Sequence, residues 1–125
     1  MLLKKIVLRN EDHFAEAISA WAKQKNVAVE TFDGKSSILE IADSMVIIQE
    51  DHNVSKEIKE LRESLDRIHK PTHQIDINAT MSASVASLHF WLENNKPKSV
   101  LIVGDEKLTQ SHRFNEYLEK LSQVV

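Results

Sequence analysis

The chain has 125 residues, of which 42% are hydrophobic and 28% charged, with a net charge of −3 and no cysteine. Such a composition predicts one folded domain, able to bury roughly two-thirds of the surface its unfolded chain exposes, and excludes a disordered segment. The missing cysteines exclude disulfides, thiolate nucleophiles and cysteine zinc sites, and a weakly acidic chain with no basic stripe excludes the electrostatic footprint of a nucleic-acid binder.

Residues 4–9, KKIVLR, open the chain with a predicted strand. Its apolar run, Ile6-Val7-Leu8, is too short for a secretory leader. No later stretch approaches the roughly 18 apolar residues of a membrane span. A cytoplasmic protein with no membrane contact is expected. Phe14, Ala17, Ile18 and Trp21 recur at helical spacing and predict an amphipathic helix. Residues 27–32, VAVETF, predict a second strand, closed by the turn signal Asp33-Gly34. Residues 36–42, SSILEIA, read as a short helix that Ser36 or Ser37 can cap. Residues 44–49, SMVIIQ, give a third strand.

Residues 54–69 carry the clearest helical pattern. Ile58, Leu61, Leu65 and Ile68 line one face, while Lys56–Glu60, Lys59–Glu63 and Arg62–Asp66 set opposite charges one turn apart on the others. Pro71 stops this helix. A fourth strand follows at 72–77, THQIDI, then a helix from Thr80 to about Asn94 and a fifth strand at 99–103, SVLIV. The last helix runs from about Thr109 to Ser122, with Phe114, Tyr117, Leu118 and Leu121 inward.

Strict alternation of strand and helix implies parallel strands, because each crossover returns the chain to the same end. The predicted fold is a three-layer, doubly wound α/β sandwich with a five-stranded, mainly parallel sheet, Rossmann-like or flavodoxin-like. Glu30 and Asp76 interrupt strands two and four, which makes these the better edge strands. In the flavodoxin-like order, strands one and three are neighbours.

Parallel strands deliver their carboxyl ends to one edge, where ligands of this architecture bind. That edge receives Asn10, Glu11, Asp12 and His13 from strand one and Glu50, Asp51, His52 and Asn53 from strand three. Strand four brings Asp76, Asn78 and Thr80, and strand five brings Gly104 and Asp105. The ligand-binding candidates are therefore Asn10, Glu11, Asp12, Asp51, Asn78, Thr80, Gly104 and Asp105. The triplet Glu-Asp-His occurs twice, so Glu11, Asp12, His13, Asp51 and His52 form a candidate set for a divalent metal. The plainer reading is two polar loops, with Asn10 and Asn53 or Ser55 capping helices and the acids favouring positive helix ends.

Only Gly34 and Gly104 are glycine, so neither a phosphate loop nor a dinucleotide fingerprint is present. Residues 78–84, NATMSAS, open a helix whose free N–H groups could hold an anion. The alternative is a cap by Thr80, with Ala79, Ala83 and Ala86 allowing close helix–sheet packing. His69 and His73 are four apart, but Pro71 between them breaks any shared helix. The helix after strand four is apolar on two sides, with Phe90 about 160° from Leu92 in projection. Phe90 and Trp91 are thus either sandwiched within the domain or part of a homodimer interface.

From residue 41 onward, "IADSMVII", "KPTHQIDI" and "FWLENNKPKSVLIVGDE" resemble the molybdenum-carrier proteins, a Rossmann-like family related to the lysine-decarboxylase-like nucleotide-binding group. The resemblance implies an inherited fold. This chain departs from the family's glycine-rich loop with Arg9-Asn10-Glu11-Asp12, and from its Gly-Gly-Thr stretch with Glu50-Asp51-His52-Asn53. What it implies about function is therefore lost or altered nucleotide binding. A second resemblance is to response-regulator receivers. Glu11-Asp12, Asp51 and Thr80 look like their acidic pocket and switch hydroxyl, which implies phosphorylation of Asp51 with magnesium at Glu11 and Asp12. Receivers carry Lys-Pro at the end of strand five, where this chain has Gly104-Asp105. The expectation from the whole sequence is a domain that binds a small ligand or a protein partner at its acidic edge without catalysis.

Overall fold

The computed structural model describes residues 3–9, 13–32, 40–50 and 55–123, with residues 32 and 106 described by backbone alone. Its elements are β1 (Lys5–Arg9), α1 (His13–Gln24), β2 (Ala28–Phe32), β3 (Ser44–Gln49), α2 (Lys56–Arg67), β4 (Thr72–Asp76), α3 (Met81–Asn95), β5 (Val100–Gly104), a 3-10 turn (Glu106–Gln110) and α4 (His112–Leu121). All ladders are parallel, and the strand order is β2-β1-β5-β3-β4. The α/β class, the five parallel strands and the edge positions of β2 and β4 agree with the sequence reading. Of the short helix expected at 36–42, only residues 40–42 fall among the described residues; 40 and 41 are helical and 42 is not.

The strand order, which the sequence pattern leaves open, separates β1 from β3. The last strand, β5, lies between β1 and β3, and all five of its residues are buried. A strand with no exposed residue needs a covered face on both sides and a neighbour at both edges, and the centre of the sheet supplies both.

Period-two alternation sorts each strand into two cores. Ile6, Leu8, Val46, Ile48, Ile75, Ile77, Val100 and Ile102 meet α1, α3 and α4 on one face. Val7, Met45, Ile47, Leu101 and Val103 meet α2 and Ala42 on the other. The steps β1-α1-β2 and β4-α3-β5 move one way along the sheet with their helices on the first face. The step β3-α2-β4 moves the other way with its helix on the second. All three crossovers therefore share one hand, as the right-handed rule requires.

Local chemistry sets the helix ends. Ser55 Oγ accepts from Ile58 N at 3.3 Å and starts α2. Burying Ile58, Leu61 and Leu65 then stabilises α2 by about 1.5–3 kcal/mol per side chain. It ends in a Schellman turn: His69 has φ 60°, and the N–H groups of His69 and Lys70 donate to Asp66 O and Leu65 O. That turn carries Ile68 beyond the helix, where it is exposed rather than on the inner face. Asn26, with φ 59°, ends α1 in the same way. Trp21 Nε1 donates to Leu118 O and Ser122 Oγ, tying α1 to α4. Ala83 and Ala86 are exposed; Val85, Leu88 and Leu92 face the sheet, which corrects the role given to those alanines.

Candidate functional site

The helix that follows β3, α2, packs on one face of the sheet, whereas those that follow β4 and β5, α3 and α4, pack on the opposite face. The chain therefore diverges on both sides of the end of β3. Such a divergence opens the crevice in which ligands of open α/β sheets bind. Gln49, the last residue of β3, is buried, and its carbonyl accepts from Ile77 N at 2.9 Å. Its side chain shares the α2 face with Ile47 and heads a groove of about 360 Å³ between α2 and β4, lined by Lys59, Arg62, Glu63, Asp66 and Gln74.

On the β4 side, Asp76 Oδ1 accepts from Asn78 N at 2.9 Å and tightens the turn. Arg113 reaches across from α4: Nε donates to Ile77 O at 2.8 Å and Nη2 to Ala79 O at 3.1 Å. Asn78 and Thr80 are exposed on this pinned turn. Thr80 precedes α3, but its hydroxyl makes no capping hydrogen bond.

On the β5 side, Gly104 pairs with Ile48 and its φ is not positive, so turn geometry does not require a glycine. Packing does. A Cβ there would lie 2.5 Å from Phe14 Cε2 and 2.8 Å from Leu108 Cδ1. Asp105 Oδ1 accepts from Lys107 N at 3.0 Å and caps the 3-10 turn.

Asn78, Thr80, Gly104 and Asp105 thus flank the end of β3, as expected of strands that share one direction. Asn10, Glu11, Asp12 and Asp51 lie outside the described residues. So do four members of the metal set, Glu11, Asp12, Asp51 and His52; the fifth, His13, opens α1. No group of three or more histidines and acids is placed to hold a metal among the described residues.

Sequence reasoning missed three charged side chains at this edge. Arg9 Nη1 donates to Glu57 Oε2 at 2.9 Å, linking the end of β1 to the first turn of α2. Arg113 is the third. Their partners lie 48 and 36 residues away, beyond the reach of any local pattern. Two acids of the expected rim are held internally: Asp76 and Asp105 each accept a backbone N–H group.

The opposite, amino edge is closed by a different set of bonds. Asp43 Oδ2 accepts from Lys98 N at 2.7 Å, and its Oδ1 from Ser99 N at 3.3 Å. Asp43 N donates to Ser99 O, and Lys70 Nζ to Ala42 O at 2.6 Å. Ala42-Asp43, Lys70-Pro71 and Lys98-Ser99 therefore serve the fold at the edge away from the carboxyl ends of the strands. His73, on β4, stacks on Trp91 with ring centroids 5.6 Å apart, and Nε2 lies 3.3 Å from Ser87 Oγ. Burial lowers its pKa from the ordinary 6.5.

No family model, curated protein or solved structure matches the chain. No helix among the described residues is long and apolar enough to cross a membrane.

Proposed function

We propose that this protein is a small-ligand-binding α/β domain, diverged from nucleotide-binding relatives, whose ligand occupies the crevice around the carboxyl end of β3 and undergoes no chemistry there. The divergence of the chain on both sides of β3 carries this reading. The ligand chemistry follows from the walls. The chain lacks the clustered glycines that would let backbone N–H groups cradle a polyphosphate. Among the described residues, the end of β3 has an amide, hydroxyl and amide set nearby, Gln49, Thr80 and Asn78, with both charge signs in the groove that Gln49 heads. A compact, polar molecule of low net charge suits that lining. A chain without cysteine fits a cytoplasmic setting.

Thermal-shift screening against nucleosides, nucleotides, amino acids and divalent cations tests the proposal. A ligand at a hundred times its Kd adds about 2.7 kcal/mol of stability. We expect one class to raise the midpoint, and the double variant Asn78→Ala, Thr80→Ala to remove the shift. No shift from any class, or a shift the double variant retains, rejects the reading.

Receiver-like phosphorylation of Asp51, or metal-dependent chemistry, needs the loops after β1 and β3 to meet. With β5 between them, those strands are about 10 Å apart. Incubation with a small phosphodonor followed by mass spectrometry is expected to leave Asp51 unmodified.

A further inference from the structure

The solvent-facing sides of α2 and α3 have opposite character. Along α2, Lys56, Glu57, Lys59, Glu60, Glu63 and Asp66 face outward, as a free helix surface requires. In α3 the only acid or base besides His89 is Glu93. Its outward stripe is Ala83, Ala86, Ser87 and Phe90, all exposed, and Phe90 retains 64% of its accessible surface. Beside the stripe, α3 and the end of α4 form a groove of about 490 Å³, lined by Val85, Ala86, Phe90, Ser82, Lys120 and Gln123. One surface thus carries an aromatic knob and an apolar groove side by side.

We propose that this surface is an isologous interface, on which a second copy of the chain docks with its α3 antiparallel to the first. A two-fold axis beside Ala86 and Ser87 sets Phe90 of each copy against Ala83 of the other, next to the groove. The large side chain meets the small one, and alanine and serine at the centre allow the axes to approach to about 8 Å. The same register decides the charges. Glu93 lies on the groove side of α3, where it pairs with His89 at 2.7 Å. At 1.5 Å rise per residue it stands level with Thr80 of the second copy. On that flank α4 presents Arg113, which bonds the turn before α3, and Lys120 at the groove. Each acid therefore arrives between two cations of the other copy, and the uncharged stripe brings no like charges together. The interface is centred on the outer side of α3 and meets the crevice only at its Thr80 end, so substitutions at Phe90 and Ala86 test it separately from the ligand reading.

Sedimentation velocity over a micromolar dilution series, with thermal midpoints taken at the dilute end, tests the arrangement. The unmodified chain is expected to dimerise with concentration. Phe90→Ser and Ala86→Arg should each weaken association at least tenfold while leaving the dilute midpoint unchanged, because both side chains are exposed in the single copy. Glu93→Lys should weaken it severalfold, and adding Lys120→Glu should recover part of the loss. A monomer at every concentration overturns the proposal. So does a dimer indifferent to Phe90→Ser and Ala86→Arg, and a dimer indifferent to Glu93→Lys overturns the antiparallel register.

Discussion

The two ends of the sheet are built on different plans. At the amino edge, one carboxylate and one ammonium tie three strands together: Asp43 holds the lead-in to β5, and Lys70, just before β4, holds Ala42 before β3. At the carboxyl edge the bonds of Asp76, Asp105 and Arg113 each stay within one turn or brace it, and the connections diverge around β3. An edge that closes on itself has spent its polar groups on cohesion. An edge whose turns are stiffened one by one leaves polar side chains unspent, and Asn78 and Thr80 are exposed there. Stability is expected to concentrate at the first edge and binding at the second.

Substitutions can break that contrast. The largest effect belongs to Asp43→Ala, which leaves the N–H groups of Lys98 and Ser99 without their carboxylate and should cost about 3 kcal/mol in urea denaturation. Gly104→Ala follows. It lies at the carboxyl edge, but its space is taken by Phe14 and Leu108, so overpacking should cost about 2 kcal/mol. This variant sharpens the comparison by separating a packing glycine from the crevice it borders. Tyr117→Phe comes next and acts in the opposite direction. The hydroxyl is buried with no hydrogen-bond partner among the described residues, and burial pushes its pKa well up. Removing it should stabilise the fold by up to about 1 kcal/mol.

His73 supplies a pH test of the amino half of the sheet. Its folded pKa lies below 6.5, so the unfolded chain binds the proton more readily. Stability should be unaffected by this group above that value, and should fall as pH drops through 6.5 toward the folded pKa. Midpoints measured across this window should decline in the parent and decline less in His73→Gln. The smallest effect is expected at the open edge: Asn78→Ala should change stability by less than about 0.5 kcal/mol while weakening any ligand that the screen finds. A loss there comparable to that of Asp43→Ala would erase the distinction between the two edges.

How far these features could be read from sequence depended on the distance between partners. Glu30 and Asp76 marked β2 and β4 as outer strands because alternation is a local consequence of half-burial. The start of α2 was narrowed to Asn53 or Ser55 for the same reason, and Ser55 is the cap. The central place of β5 was not legible, because its run of buried residues fixes its environment but not its neighbours. Arg9, Glu57 and Arg113 gave no signal, since their partners lie 48 and 36 residues away in the chain. At Gly104 the residue was noticed and its physical cause was not: the ring that requires a glycine belongs to Phe14, ninety residues earlier.

The position of β5 has a consequence for synthesis. β1 pairs with β2, β3 pairs with β4, and β5 alone joins the two pairs. A nascent chain leaving the ribosome holds two unconnected ribbons until residues 100–104 emerge, and both cores stay open to water until then. Assembly waits on the keystone, and a message cut short before it would yield fragments fit for proteolysis rather than a smaller working domain.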